Sequence, residues 1–265
     1  MSDLSRLPNH QDGLDMIDAL DNIIASLEYE PPVDYSWSGA TDENLATAIA
    51  NLHAGTTTIS ELGWSVGDER TMSLSAIAAG SYNVAHAAQD VTLVIMDTNA
   101  YNGTGNLVWG LKDCLLETET METSATNANG WHNSRGRKCC DAIWSMFPSW
   151  FRSSCLQFSV KSASQGGSDS ASITSQSGYL ALFAEKEIFG SKTNSVSTEA
   201  NALTQIEYYK TSANRIKKVN GSANSWWERS PCYNFATAFC SVGANGTADT
   251  ANAAHSFGFA PFGVI

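Results

Sequence analysis

The stretch Val91-Thr92-Leu93-Val94-Ile95-Met96 limits what this chain can fold into more than any other. It is a nearly continuous apolar run of strand length. A strand with apolar side chains on both faces must be covered on both, so the run reads as a central strand inside a sizeable core. With 265 residues the chain can bury one large core, or one core and a small appendage. Hydrophobic residues make up 43% and charged residues only 16%, so Ser, Thr, Asn, Gln and Gly must cover much of the surface. That balance argues against disorder, which needs low hydrophobicity and high charge. No apolar run approaches the ~18–20 residues of a membrane span.

Charge divides the chain. Residues 1–70 hold 13 acidic and 2 basic side chains, a net of −11, whereas residues 71–265 hold 14 and 13, a net of −1. Neither part has the basic footprint that nucleic-acid binding requires. The acidic segment reads equally as a solvated tail or a docking segment. Met1-Ser2-Asp3-Leu4-Ser5-Arg6 lacks the basic-then-apolar pattern of an export signal, so synthesis in a cytoplasm is expected.

Periodicity supplies the first elements. Leu14, Ile17, Leu20, Ile24 and Leu27 recur at intervals of three and four between Asp15, Asp18 and Asp21. This predicts an amphipathic helix of about four turns, ended by Glu30-Pro31-Pro32. The spacing suits either a short coiled coil or packing on the chain's own body, which makes these five residues the candidate oligomerisation or docking set. Thr41 is a helix N-cap for a second helix carrying Leu45, Ile49 and Leu52 and closed by Gly55. Met72-Ser73-Leu74-Ser75 alternates as a strand, and Tyr179-Leu180-Ala181-Leu182-Phe183 reads as another. Asn133 to Trp150 has helical character, with Arg135, Arg137 and Lys138 at its start facing acidic partners or solvent. Ser162 to Gly178 reads as a long surface loop. Asn102-Gly103, Asn220-Gly221 and Asn245-Gly246 are tight-turn signals, the last inside a hairpin pattern.

Catalytic signatures do not appear. The cysteines Cys114, Cys139, Cys140, Cys155, Cys232 and Cys240 form no Cys-x-x-Cys pair and no zinc spacing with histidine. Their reading is buried reduced thiols, with a Cys232–Cys240 bridge conceivable on spacing alone. The five histidines are scattered, and no Gly-x-Ser-x-Gly elbow or phosphate-cradling loop occurs. Glu185 and Glu187 around Lys186 read as a solvated face rather than paired catalytic carboxylates. The expectation is therefore a non-enzyme with no catalytic residue, no metal and no cofactor.

Aromatic residues carry more information. Trp226 and Trp227 are adjacent, so in a strand one points into the core and the other toward a neighbour or the surface. Arg229 beside Glu228 is expected to hold an internal ion pair or to donate to backbone carbonyls. Trp226, Trp227, Arg229 and Pro231 are thus the structural scaffold. Downstream the chain turns small, polar and aromatic, a composition suited to adaptable binding surfaces. The candidate ligand-binding residues are Tyr233, Asn234, Phe235, Thr237, Asn245, Asn252, His255 and Ser256.

Seven blocks then fall in a recognisable order. They are Trp64-Ser65-Val66-Gly67-Asp68, Gln89 to Asp97, Gly130-Trp131-His132-Asn133-Ser134-Arg135, Ala184 to Gly190, Tyr208 to Lys218, Trp226-Trp227-Glu228-Arg229-Ser230-Pro231 and Gly258-Phe259-Ala260-Pro261-Phe262-Gly263. Over about residues 60–265 they resemble a domain of unknown function widespread in phages and prophages of Gram-positive gut bacteria. That family resembles a branch of the C-type-lectin-like superfamily, with the formylglycine-generating enzymes and the variable proteins of diversity-generating retroelements. In the variable proteins the ligand surface lies between a Trp-rich strand and the terminal strand, which corresponds here to about Cys232 to Phe257. The paired catalytic cysteines of the formylglycine enzymes and the Glu-Pro-Asn or Gln-Pro-Asp calcium motif are absent, so neither activity carries over.

The resemblance implies an α+β fold. A C-type-lectin-like display domain over 61–265 would follow an acidic helical docking segment over 1–60. It implies a virion protein of a phage that docks on other virion proteins, assembles as a homo-oligomer (a trimer is favoured) and binds a host cell-surface protein or glycan. No nucleic acid and no membrane insertion are expected. Capsid decoration or a head fibre without receptor binding is the alternative, and a diverged formylglycine-type oxidase is a more distant one.

Overall fold

The computed structural model describes residues 15–20, 32–99, 101 and 106–265. Two compact units divide at Met1–Asp34 and Tyr35–Ile265. In the first, residues 15–20 are helical, and Met16, Ile17 and Leu20 are exposed. Leu14, Ile24 and Leu27 lie outside the described residues, as does the Asn102-Gly103 turn.

The second unit begins earlier than the boundary expected at 60. Trp37 is buried and meets Trp64 edge-on at 5.6 Å. Arg70 donates to the carbonyl oxygens of Trp37 and Ala40 at 3.3 and 2.8 Å and pairs with Asp42 at 2.5 Å. The helix Asp42–His53 starts at Thr41, whose hydroxyl accepts the Asn44 N–H at 3.2 Å, and it buries Leu45, Ala48 and Ile49. Residues 35–60 therefore belong to the body, because their apolar side chains have no other place to be buried.

The body mixes short helices with several small antiparallel sheets. Strands β1 (Glu69–Leu74), β2 (Gln89–Asp97), β3 (Val108–Leu111) and β11 (Phe262–Val264) form one sheet in the order β1-β2-β3-β11. The apolar run is its central strand: β2 pairs antiparallel with both β1 and β3, and Leu93 through Met96 are fully buried. Trp109 of β3 packs against Phe147 and Phe151, with ring centroids 5.4 and 5.0 Å apart. A second sheet has the order β10-β9-β8, from β8 (Trp226–Pro231), β9 (Ala238–Val242) and β10 (Ala248–Asn252). Hairpins of β4 (Phe158–Ala163) with β5 (Ile173–Gly178) and of β6 (Lys217–Val219) with β7 (Ser222–Asn224) complete the strands.

Three expectations change. The stretch Asn133 to Trp150 is not one helix but parts of Gly130–Asn133, Arg135–Trp144 and Ser149–Ser154. Ser134 interrupts it in extended geometry and caps the Arg135–Trp144 helix, accepting the Arg137 N–H at 3.0 Å, and Pro148 precedes the last piece. The polar stretch after Ser162 is not all loop, because Ile173–Gly178 pairs with β4. Its Ser, Thr and Gln side chains lie at the surface, so no apolar alternation announces it. Tyr179 to Phe183 is not a regular strand; it makes one bridge, Ala181 to Phe262, although Leu180 through Phe183 are buried. The Asn220-Gly221 turn is as expected, with φ of 50° and 79° joining β6 to β7.

Candidate functional site

All six residues of β8 are buried, including both tryptophans. Both faces of the strand are covered, so neither indole reaches the surface: Trp226 meets the Tyr209 ring and Trp227 the Phe257 ring. The Trp226 and Trp227 indole N–H groups donate to the carbonyl oxygens of Arg215 and Glu119 at 2.9 and 2.8 Å. Arg229 forms a bidentate pair with Glu187 at 2.5 and 2.8 Å and also donates to the Leu182 and Lys161 carbonyls at 2.8 and 3.1 Å. Burial opposes the guanidinium charge, but Glu187 beside it holds the Arg229 pKa above its ordinary value.

Glu185 and Glu187 are 0% and 2% exposed, so the solvated face expected of this triplet is wrong. Of the three, only Lys186 reaches outward, donating to the Gly190 carbonyl at 2.6 Å. Glu185 Oε2 accepts the N–H groups of Thr193, Asn194 and Ser195 at 2.9, 3.0 and 2.8 Å and the Ser195 hydroxyl at 2.6 Å. Glu199 accepts the Ala163 N–H at 2.6 Å and the Ser230 hydroxyl. Burial raises the Glu199 pKa, and burial together with Glu185 and Glu199 pushes Glu228 well above the carboxylate range.

These buried groups fix three surface loops against one another. Glu185 holds the 193–195 backbone, and the Asn194 carbonyl accepts the Tyr233 N–H at 2.9 Å. The Cys232 carbonyl accepts the Gly167 N–H at 2.9 Å. Asn127, fully buried, donates through Nδ2 to the carbonyls of Phe235 and Ala238 at 2.7 and 2.6 Å, and its Oδ1 accepts the Gly166 N–H at 3.2 Å. Position 166 has no room for more than glycine: a Cβ there would lie 2.0 Å from Asn127 Nδ2.

The resulting face carries side chains of distinct character. Phe235 is 55% exposed between Asn234 and Thr237, which also face solvent. Tyr233 is half-buried on Ala163, Ala171 and Val196, with Lys192 Nζ 4.1 Å above its ring. Lys192 pairs with Asp169 at 2.6 Å, and this bond, with those from Ser197, lowers the Asp169 pKa to about 2.

The strand register sorts the remaining candidate residues. Ala238 pairs with Asn252 and Val242 with Ala248. Asn252, His255 and Ser256 therefore lie at the same end of the hairpin as Tyr233 to Thr237, and the Ala253 N–H donates to the Thr237 carbonyl at 2.9 Å. Asn245 lies in the turn at the opposite end, about 14 Å away at ~3.4 Å per residue. Its Oδ1 accepts the Thr247 N–H and hydroxyl at 3.2 and 2.7 Å, so it shapes the turn and leaves the candidate face. Asn127, Gly166, Asp169, Lys192 and Asn194 were not legible as site residues. Only the Gly166-Gly167 pair carried a signal, that of close backbone approach. All six cysteines are free and buried, and burial raises the thiols of Cys232 and Cys240. No helix among the described residues is long and apolar enough to cross a membrane.

Residues 90–263, which include the whole of this face, match the family model described as a domain of unknown function (DUF6273). The chain belongs to that family. No curated protein and no solved structure matches it.

Proposed function

We propose that the chain, as a member of the DUF6273 family, is a recognition module of a phage virion that binds a host-surface glycan through the Tyr233–Thr237 loop and its neighbours. The observation that carries this reading is Phe235, an exposed aromatic on a loop whose backbone is fixed from the core. An aromatic face beside amide and hydroxyl groups suits a sugar ring, which offers an apolar face and polar edges. Loops already ordered in the free protein lower the entropy cost of binding. The finer C-type-lectin-like assignment and the virion setting rest on the block resemblance. Small antiparallel sheets joined by long loops are compatible with it. Met16, Ile17 and Leu20, 66%, 55% and 51% exposed on their helical stretch, support docking or self-association through the N-terminal unit.

The test is binding of the purified chain to host cells and to their isolated cell-wall polysaccharide. Phe235→Ala should weaken binding ~10-fold or more, equivalent to about 1.4 kcal/mol, without changing stability. Asn245→Ala should leave binding unchanged. Wild-type protein that ignores cells and polysaccharide yet co-sediments with particles would replace recognition with decoration.

A further inference from the structure

The carboxylates around β8 fall into two sets. Glu187 has Arg229 as its counter-ion. Among the described residues, Glu185, Glu199 and Glu228 have no basic side chain in ion-pair contact. Glu185 and Glu199 take hydrogen bonds instead. Glu228 is fully buried, and neither of its carboxylate oxygens has a hydrogen-bond partner among the described residues. A carboxylate oxygen of Glu228, one of Glu185 and the Cys240 sulfur all lie within 4.8 Å of one another.

Protonation of Glu228 alone does not resolve this arrangement. A neutral carboxyl still leaves a buried O–H donor and a carbonyl acceptor with no side-chain or backbone partner among the described residues, at about 1–3 kcal/mol each. A cation between the three side chains supplies both the missing partner and the missing positive charge.

We propose that Glu228, Glu185 and Cys240 hold a zinc ion inside the body. A thiolate among carboxylates selects zinc over magnesium or calcium, which take oxygen alone. On binding, the Cys240 S–H bond breaks, its proton leaves to solvent and a zinc–sulfur bond forms, with no change of oxidation state. The amides of Thr193, Asn194 and Ser195 orient Glu185, as outer-shell donors orient metal ligands elsewhere. Because the three ligands are buried, the ion enters as the chain folds. It would then brace the 193–195 loop beneath Tyr233.

The test uses the full chain produced in zinc-supplemented medium, with metal content measured by mass spectrometry and Tm measured with and without a chelator. Wild type should carry stoichiometric zinc and lose several degrees of Tm on chelation. Glu228→Gln and Cys240→Ser should each retain at least ~10-fold less zinc. Wild type without stoichiometric zinc would overturn the proposal, and a Glu228→Gln variant at least as stable would then identify a protonated acid. A cation retained undiminished by Cys240→Ser would overturn it in favour of an oxygen-only site. If Glu228→Gln does not fold, the cobalt-loaded wild type decides. Thiolate-to-cobalt charge-transfer absorption supports the site, and its absence refutes it.

Discussion

Replacing Asn127 with alanine removes the fastening that joins the candidate face to the core. The side chain donates to two carbonyls at 2.6 and 2.7 Å and accepts one N–H at 3.2 Å, all without contact to water. Three bonds at a net of about 1 kcal/mol each give a cost near 3 kcal/mol. Two features moderate it, since the Ala238 carbonyl keeps the Cys232 N–H at 3.1 Å and the Ala236 carbonyl keeps the Asn127 backbone N–H at 2.8 Å. The expected cost is then about 2–3 kcal/mol. Asn127→Asp should cost more than alanine, because it sets a carboxylate oxygen against two carbonyl oxygens where an amide donated. Urea unfolding gives the cost, and limited proteolysis at 232–237 reports whether the loop opens locally before the body does. A cost below about 0.5 kcal/mol with unchanged loop protection would show that Asn127 is not what orders this face.

Two further perturbations test the body itself. Removing residues 1–34 should leave a folded, cooperative domain, whereas removing 1–60 should abolish folding. The longer deletion takes Trp37, Leu45 and Ile49 from the core at ~2–5 kcal/mol each, comparable with a domain's whole stability; circular dichroism melts of the two truncations decide it. Lys217 is buried, donates to the Lys112 carbonyl at 2.9 Å and has a pKa lowered by burial from 10.5 to about 8. The unfolded chain keeps this proton to higher pH than the folded chain does, so the penalty is full below pH 8 and fades as pH rises toward 10.5. Relative to Lys217→Met, wild type should therefore gain up to about 3 kcal/mol between pH 7 and 10. A difference that stays flat across that range in urea titrations would refute the assignment.

How much the sequence disclosed depends on the range of the forces involved. Thr41, the β2 run and the Asn220-Gly221 and Asn245-Gly246 turns were legible because cap, burial pattern and turn geometry are settled by neighbours within a few residues. The Glu185-Lys186-Glu187 triplet misled for the opposite reason. Its local pattern is that of a wet surface, and the groups that justify burying it, Arg229 and Ser230, lie more than 40 residues downstream. Asn127 is the same case, with partners 108 and 111 residues away. Strand β5 was missed because a strand at the surface needs no apolar alternation to pair. The candidate ligand residues after β8 were selected on composition alone, and only the β9–β10 register could separate Asn245 from the rest.

The fastening of the 232–238 loop has a consequence for how this protein can change over time. Every bond that anchors it, from Asn127, Gly167 and Asn194, meets a main-chain atom. Main-chain atoms are common to all residue types, so these bonds do not depend on the exposed side chains at 234, 235 and 237, whereas Cys232 and Tyr233 also pack inward. Positions 234, 235 and 237 can then be rewritten while the chassis beneath them stays as it is. The constraint falls instead on the chassis, since a Cβ at Gly167 would lie 3.0 Å from the Cβ of Ala236. Such a surface can exchange its exposed side chains without its fold having to be found again.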